Sequence, residues 1–529
     1  MPLIRLLIFL AACVASPAFA DRAALSGALC APSLADQVAA LQALANAGAT
    51  DGAAEAAWAQ TVVAAVEGRS LRCAATGAYI GDGDTALDAA TLAPAPAPAD
   101  AAALPINNRL RATAASAAAA LALFADTDAA ARAKAAAALE RRREVVSVPM
   151  LDAALATETD AAVSDLLGAL RARMMLADPD PENRIRAIDA IATETTLRNR
   201  TVIAEALTDE ADAAVQAAGA AAIAKIDRQL AIGRALATLY SGLSYASVLL
   251  LAALGLAIIF GLMGVINLAQ GEFIMIGAYT AWFVQNAIRA VMPGLIDWYL
   301  IIALPVSFLA AALVGMVMEA LVLRRLYNRP LMTLLATWAV SLLLINLVRV
   351  TIGTQNLELH QPYYVVGGIP VVGDFIVTLN RLFAIAIAAA AFVGVVLVLR
   401  FTTFGLNVRA VAQNRAMAGA AGIDARRTDR LAIALGSGLA GLAGVALAPL
   451  YNVNPNMGAG FIVDSFMVVV LGGVGSLAGA VAASFGIGQI NVIMEPLYGA
   501  VAAKVVVLLL VIAFIQRRPE GLFAPKGRR

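Results

Sequence analysis

Histidine, cysteine and charged residues are scarce in this chain. It has one His and three Cys, and such scattered residues cannot build a usual metal site. No G-x-x-x-x-G-K-[ST] phosphate loop occurs, so the chain hydrolyses no nucleotide by that route. The net charge is +1 and no Lys/Arg run is interleaved with aromatic residues, which argues against nucleic acid as a partner. We therefore expect no cofactor in this chain.

The charges that remain are unevenly placed. The 529 residues are 61% hydrophobic and 14% charged, with a mean hydropathy of +0.81, which is too apolar for a soluble protein and long enough for more than one domain. Residues 21–234 carry charges throughout and are rich in alanine, whereas residues 241–320 hold only four: Glu272, Arg289, Asp297 and Glu319. This pattern predicts an all-α protein in which a soluble half precedes a polytopic membrane half.

The first 20 residues have the pattern of a signal peptide. A positive charge is followed by an apolar stretch that ends in an A-x-A cleavage site at residues 18–20. Residues 10–13 could instead be a lipoprotein cleavage box. In both cases the following domain is exported, and Cys30 and Cys73 remain there as an even pair that permits one disulfide. Two buried thiols are the alternative.

The exported half is predicted to be helical. Residues 21–92 form a first helical segment, and the Pro/Ala-rich residues 93–104 form a stiff linker after it. Between residues 105 and 232, amphipathic stretches follow acidic turns at intervals of roughly 30 residues, a pattern that resembles HEAT-type repeats. Such an array offers a long surface for gripping a protein and has no catalytic pair. Alanine-rich composition alone can also imitate a repeat.

The membrane half can be oriented from its charges. Arginines and lysines cluster at residues 324–329, at residues 409–430 and in the tail from 517, which includes the basic residues 523–529. The positive-inside rule makes all three regions cytoplasmic, and the loop 353–380, without Lys or Arg, periplasmic. Most of the eight apolar segments are long enough to cross a ~30 Å hydrocarbon core: residues 242–260, 262–288, 298–322, 331–352, 381–400, 430–450, 463–490 and 497–516.

One of these eight segments must not cross, because an exported N-terminal domain and a cytoplasmic tail require an odd number of crossings. Segment 463–490 is the best candidate, since a glycine cluster at its centre lets the chain dip in and return as two half-helices. Gly475 and Gly479 also form a GxxxG contact pattern. A continuous helix here, with 262–288 not crossing, is the alternative. The cluster consists of Gly472, Gly473, Gly475 and Gly479.

The stretch from Gly261 to Tyr279 places Asn267, Gln270 and Glu272 in otherwise lipid-compatible sequence. A carboxylate at membrane depth costs a few kcal/mol, so Glu272 should face a partner, a cavity or an interface. Glycines in the same stretch permit close helix contact or a local break. The pattern favours a transport path. The alternative is a glycine-rich packing helix with one carboxylate at the water boundary.

A long, helix-prone and basic loop follows at residues 405–430. A short helix there, closed by Gly422, could enter a groove on a cytoplasmic partner and pass motion to the spans. An interfacial helix on anionic lipid is the alternative. The candidate coupling residues are Asn407, Arg409, Asn414, Arg415, Gly422 and Ile423. Four classes of function remain: channel, ion-coupled carrier, permease driven by a separate ATPase, and membrane-anchored scaffold. The loop favours the ATPase-driven permease.

Residues 236–522 resemble the permeases of branched-chain amino acid and urea ABC importers. The matching runs are 264–279, 407–423 and 472–479. The exported repeat domain, together with residues 329–341 and 352–356, is similar to the urea branch.

The resemblance implies an inner-membrane transporter in which this chain pairs with a second permease subunit, two ATPase subunits that use the ATP, and a periplasmic solute-binding protein. Urea needs amide and hydroxyl partners along its path. The family commonly has His where this chain has Gln270, which cannot take up a proton. The substrate could also be a branched-chain amino acid or a short amide. The path candidates are Asn267, Gln270, Thr337, Ser341 and Asn346, and we assign Glu272 to holding the break in shape.

Overall fold

The computed structural model describes residues 17–523 except 51, 143–144 and 327–328. Most of the predicted signal peptide, residues 1–16, and most of the basic tail, residues 524–529, therefore lie outside the described residues. The chain divides into two compact units, residues 1–228 and 229–529. The boundary falls within one long helix, Ala213–Met263.

The first unit begins with three helices, a small antiparallel sheet and six further helices. The helices are α1 Pro17–Ala28, α2 Leu34–Thr50, α3 Ala53–Glu67, α4 Asn108–Ala125, α5 Ala129–Arg141, α6 Val148–Thr157, α7 Ala161–Met175, α8 Pro181–Ile191 and α9 Leu197–Ala206, and α10 Ala213–Met263 follows them. The strands are β1 Leu71–Ala74, β2 Gly77–Ile80, β3 Leu87–Asp88 and β4 Ala102–Ala103, in the order β3-β2-β1-β4. The segment predicted to be helical over 21–92 thus also contains three strands.

The predicted linker 93–104 does not separate two domains. Ala102 and Ala103 pair with β1, and the amide of Leu104 donates to the Leu71 carbonyl at 3.1 Å. Upstream, the amide of Ala95 donates to the Ala86 carbonyl at 2.9 Å. Alanines between the prolines keep their amide hydrogens, so an extended Pro/Ala segment can still join a sheet edge.

One hydrophobic core spans both sides of this segment, because it includes residues from Leu29, directly after α1, to Leu170 in α7. Trp58 is buried in it, and its indole N–H donates to the Ala89 carbonyl at 2.9 Å. Cys30 and Cys73 are joined in a disulfide, which ties the end of α1 to β1. The described residues between 29 and 170 therefore contribute to a shared core.

Four acidic turns of this unit each cap a helix. Asp128, Asp160, Asp180 and Asp212 accept hydrogen bonds from backbone amides two residues further on, which satisfies donors that a helix start leaves unpaired. Successive turns lie alternately 32 and 20 residues apart rather than at a uniform interval of roughly 30, so two turns make one repeat of 52 residues.

Two arginine–carboxylate pairs follow the same repeat. Arg132 binds Glu158 through two hydrogen bonds of 2.8 Å, and it also donates to the carbonyls of residues 126 and 127. Fifty-two residues later, Arg184 binds Glu210 at 2.8 and 3.0 Å and donates to the carbonyls of residues 178 and 179. The helices are therefore joined in a regular way by bidentate charged pairs.

The second unit is a helical bundle with one β-hairpin. Its elements after α10 are α11 Gln270–Val291, α12 Tyr299–Leu321, α13 Pro330–Thr351, β5 Gly368–Val372, β6 Phe375–Thr378, α14 Leu379–Phe401, α15 Thr403–Gln413, α16 Arg415–Ala420, α17 Ala425–Leu447, α18 Ala459–Gly472, α19 Leu477–Tyr498 and α20 Ala500–Arg517. Seven segments among the described residues are long and apolar enough to cross a membrane: Ala213–Met263, Pro293–Arg325, Leu331–Thr351, Leu379–Phe401, Ala425–Leu447, Leu477–Tyr498 and Ala500–Arg517.

The segment predicted not to cross, 463–490, is split between α18 and α19. The break at residues 473–476 falls in the predicted glycine cluster, and Gly473 and Gly475 have φ of 96° and 82°, which a side chain disfavours. At 14 residues, α18 extends about 21 Å, less than a ~30 Å hydrocarbon core. Which segment fails to cross stays a prediction.

The GxxxG interpretation of Gly475 and Gly479 is wrong. Gly475 lies in the turn before α19, and a Cβ there would meet open space. The close contact instead joins Gly472 and Gly479 across the turn, where a Cβ on Gly479 would lie 1.9 Å from the Gly472 carbonyl oxygen. The turn brings α18 and α19 together, so the glycine contact joins one residue from each helix rather than two residues of the same helix.

Candidate functional site

The break between α10 and α11 is built by one glycine and one asparagine. Helix α10 ends at Met263, and Gly264 has φ of 65°, a conformation that favours glycine. The Asn267 side chain accepts from the Ala269 amide at 3.0 Å, just before α11 begins at Gln270. The predicted break is therefore present at residues 264–269, and Asn267 holds its second half.

Gln270 is 1% exposed and fastens the break to two neighbouring helices. Its side-chain nitrogen donates to the carbonyl of Ala252 in α10 and to that of Gly436 in α17, both at 3.3 Å. A Cβ on Gly255 would lie 2.6 Å from this nitrogen, so the glycine leaves room for the amide. Glutamine here acts as a donor to backbone oxygen atoms.

Glu272 is buried in the first turn of α11, where the positive end of the helix dipole favours a carboxylate. The Ser341 hydroxyl of α13 donates to its Oε1 at 2.8 Å. Its Oε2 is buried and has no hydrogen-bond partner among the described residues. A buried oxygen without a partner is costly and calls for a functional or structural explanation.

Helix α13 contributes a polar stripe to the same place. Thr333, Thr337 and Ser341 are buried and four residues apart, so they share one face of the helix. The Thr337 hydroxyl accepts from the Leu268 amide at 3.2 Å, in the break itself. Thr333 was not among the predicted residues, although its four-residue spacing from Thr337 would have revealed it. Asn346 is exposed and outside the cluster, and among the described residues its side chain donates to the Leu342 carbonyl of its own helix.

The structure thus brings together most of the residues predicted for the path. We call them the Glu272 cluster: Asn267, Gln270, Glu272, Thr337 and Ser341. Four of the five carry neutral amide or hydroxyl groups, and every one has a hydrogen bond to another part of the break or to an adjacent helix. No group of three or more potential metal ligands is found within the described residues. These hydrogen bonds hold the break in place against the adjacent helices.

Residues 403–423 form two short helices, α15 and α16, that are fixed to the bundle. Asn414 caps α16 by accepting from the Met417 amide at 3.0 Å, and Gly422 ends it with φ of 85°. Arg409 donates to the carbonyl of Leu399 in α14. Ile423 packs against the core, and Asn407 is half-buried. Several of the predicted coupling residues therefore stabilise the conformation of this segment through contacts inside the chain.

Arg415 connects this segment to α17. It forms an ion pair with Asp429, whose side chain is fully buried at the start of α17. The next residue of α17, Arg430, lies 3.4 Å from the buried carboxylate of Glu319 in α12. Asp429 was not predicted from the sequence, because its burial depends on how α17 is rotated against its neighbours. The outward face of the segment instead carries Leu406 and Met417, which are 59% and 65% exposed.

The comparisons with known proteins concern this second unit. Residues 238–515 match the family described as "Branched-chain amino acid transport system / permease component". The chain belongs to this family. With seven apolar segments able to span a bilayer, this permease component is a multi-pass protein of the inner membrane. The match includes the whole Glu272 cluster and α15–α16.

Similar proteins include two permeases named LivH and one named BraD. The chain is 27% identical to the "High-affinity branched-chain amino acid transport system permease protein LivH" of Salmonella typhimurium and 28% identical to that of Escherichia coli, over 293 residues each. It is 26% identical over 288 residues to BraD of Pseudomonas aeruginosa. Each alignment covers 54% of this chain and 94% of the relative. No solved structure matches.

Proposed function

We propose that this chain is the membrane permease of an ATP-driven urea importer. The carrying observation is the Glu272 cluster, in which a broken helix is held mainly by neutral amide and hydroxyl groups rather than by fixed charges. Urea is small, neutral and rich in hydrogen-bonding groups, so such a path suits it. The resemblance of residues 329–341 and of the exported unit to the urea branch supports the same substrate.

Partner subunits supply what the chain lacks. Two ATPases use ATP, a second permease subunit completes the path, and a periplasmic binding protein delivers the solute. The exported unit, a HEAT-like array, lies in the periplasm and offers the binding protein a docking surface, while the C-terminus lies in the cytoplasm. This orientation rests on the arginine clusters at 324–329 and 409–430.

A continuous series of contacts offers a route from the ATPases to the path. Leu406 and Met417 are exposed on α15 and α16 and present an apolar contact to a partner. Arg415 transmits displacement of α16 to Asp429 in α17. Two turns further along α17, the Gly436 carbonyl accepts from Gln270 at the break. Closure of the ATPases would therefore move α17 and change the break, which gives alternating access.

Import of a branched-chain amino acid is the second candidate, and the names of the similar proteins favour it. Those alignments cover about half of this chain, and the family match at residues 238–515 lies outside the exported unit. For this candidate, selectivity would reside largely in the binding protein that delivers the solute.

Uptake of radiolabelled urea, with leucine in parallel, tests this proposal in cells with and without the chain under nitrogen limitation. Loss of urea uptake alone supports the urea permease. Loss of leucine uptake alone assigns the chain to amino acid import. Unchanged uptake of both would contradict a transport role and favour a membrane-anchored scaffold, which would also fail to co-purify with an ATPase through α15–α16.

A further inference from the structure

Two adjoining cavities of about 290 and 400 Å³ lie in the second unit, away from the Glu272 cluster. They share five lining residues, so we treat them as one space and call it the Tyr245 cavity: Tyr245, Leu447, Tyr451, Phe461 and Glu495. Helix α20 closes the smaller part with Ala500, Ala503 and Lys504. No member of the Glu272 cluster lines it.

An unpartnered amide points to a ligand in this cavity. Asn491 lines the smaller part and is only 5% exposed, yet its side-chain nitrogen has no hydrogen-bond partner among the described residues. A buried amide without a partner is destabilising, and a leucine of similar size would avoid the cost. The position is therefore explained if a solute oxygen accepts the hydrogen bond.

A fully buried carboxylate behind the wall positions two other lining groups. Asp464 accepts from the Tyr245 hydroxyl at 2.7 Å, and the same oxygen lies 3.9 Å from the Lys504 ammonium nitrogen. Lys504 also donates to the Gly460 carbonyl at 2.9 Å. Asp464 and the Gly460 carbonyl are therefore the partners of Lys504 among the described residues. Asp464 acts through these neighbours and is a positioning residue.

The lining defines the chemistry of the solute. Asn491 and Lys504 donate to an oxygen, whereas the Glu495 carboxylate and the Tyr245 hydroxyl oxygen can accept from N–H groups. Arg381 lines the larger part, so Glu495, Asp464, Lys504 and Arg381 together carry no net charge, which suits a neutral or zwitterionic solute better than a simple ion. Leu447, Met457 and Phe461 supply an apolar wall. A small solute with both N–H groups and an oxygen acceptor fits, as in urea or a zwitterionic amino acid.

We propose that the Tyr245 cavity is a second solute-binding site of this permease, taking a small solute that presents N–H donors and an oxygen acceptor. The inference rests on the proposed function, since the solute is the transported one. The Glu272 cluster holds the break between α10 and α11 in its conformation. The Tyr245 cavity binds the solute before or after the solute passes the break.

Thiol protection tests the site directly. Ala500 is exposed and lines the cavity, so an Ala500→Cys variant of the full chain in proteoliposomes should react with a maleimide. Bound urea or leucine should slow labelling about tenfold at ten times its dissociation constant. Gln355→Cys, on an exposed loop, is the matched control. Labelling is followed by mass spectrometry of the modified peptide, with each solute added in turn.

Asn491→Leu separates binding from folding. Combined with Ala500→Cys, it should remove protection while the melting temperature stays equal or rises, because it deletes an amide that has no protein partner. Protection by urea alone or by leucine alone identifies the solute. Protection that survives Asn491→Leu, or the absence of protection by either solute in a chain that supports uptake, would overturn the site. Absence of both protection and uptake would overturn the proposed function as well.

Discussion

The two units are stabilised by different kinds of contact. In the first unit, side chains do most of the joining: a leucine and alanine core, bidentate arginine–carboxylate pairs and one disulfide. In the second unit, several helices pack in direct backbone contact at glycine residues. A Cβ on Gly277 of α11 would lie 2.0 Å from the Gly441 carbonyl oxygen of α17, and one on Gly441 would lie 2.7 Å from that of Ser307 in α12.

This difference follows from the surroundings of each unit. Lipid tails are as apolar as leucine, so helices in a bilayer gain little from side-chain burial and instead associate through close van der Waals contact and hydrogen bonds. In water, burial of apolar side chains drives packing. We therefore expect graded effects from substitutions in the first unit and abrupt effects at glycine contacts in the second.

The largest expected effect is at Gly277. Gly277→Ala places a methyl group against the backbone of α17, which cannot move away as a flexible side chain can. We expect a cost of about 3 kcal/mol or more and loss of folded protein. The measurement is the yield of monodisperse full-length chain by size-exclusion chromatography in detergent.

Gly394→Ala in α14 is the matched control, because a Cβ there meets nothing within 4 Å. It should leave the yield unchanged. Equal yields for both substitutions would contradict the comparison, since they would show that the glycine contacts of the second unit tolerate extra atoms.

Glu272 comes next, with an effect on transport rather than on yield. Glu272→Ala removes the acceptor of the Ser341 hydroxyl and should abolish uptake. Glu272→Gln keeps an oxygen for Ser341 and should retain part of the activity. Uptake by cells with matched membrane levels of each variant measures this, and Asn346→Ala, outside the cluster, is the control. Normal uptake by Glu272→Ala would refute the role assigned to Glu272.

Gln270→His sharpens the same test, and we expect it to be tolerated. A neutral imidazole can donate one hydrogen bond, enough for the Gly436 carbonyl but not for both carbonyls that Gln270 serves. Uptake by this variant should therefore continue, at a lower rate than that of the unsubstituted chain. A complete loss would show that both bonds are needed to hold the break.

Arg415 tests the route from the ATPases. Arg415→Ala leaves Asp429 buried without its ion-pair partner and loosens α16 from α17. We expect about tenfold less uptake per ATP hydrolysed by the assembled transporter. Arg426→Ala, exposed one turn earlier on α17, should leave the ratio unchanged. A parallel fall in ATP hydrolysis and uptake would instead indicate that Arg415 serves assembly.

Local features were predictable from sequence, whereas pairings across the fold were not. Gly264 and Asn267 mark the break, and Asp160 marks a helix start, because each acts on backbone within a few residues. Ser341 lies 69 residues from Glu272 in the sequence. Their contact depends on how α13 is rotated about its axis against α11, and the sequence pattern of either helix does not specify that rotation.

Two of the corrected predictions have the same origin. Gly479 meets Gly472 across a turn, not Gly475 along a helix, because the direction of the turn was unknown. Ala102 pairs with β1 although the prolines near it favour an isolated linker. In both cases the sequence pattern correctly indicated a close glycine contact or an extended segment, but the residue that it contacts was set by the tertiary structure.

The smallest expected effect is in the first unit, where a single pair can be removed without collapse. Hydrogen bonding to Arg132 lowers the pKa of Glu158 from 4.5 to about 2. A carboxyl group whose pKa is lower in the folded state stabilises that state above its unfolded pKa. This contribution should be complete above about pH 4.5 and fade as the pH falls toward about 2.

Glu158→Gln should reduce the hydrogen-exchange protection of α5–α7 at neutral pH by about tenfold and flatten its loss between pH 5 and 2. Protection, corrected for intrinsic exchange rates, is measured on peptides from residues 129–175 of the full chain in detergent. Glu182→Gln is the matched control, since its ion pair with Arg186 is largely exposed and contributes little. If both variants behave alike, the bidentate pairs do not hold the repeat together, and its stability comes from the alanine and leucine core alone.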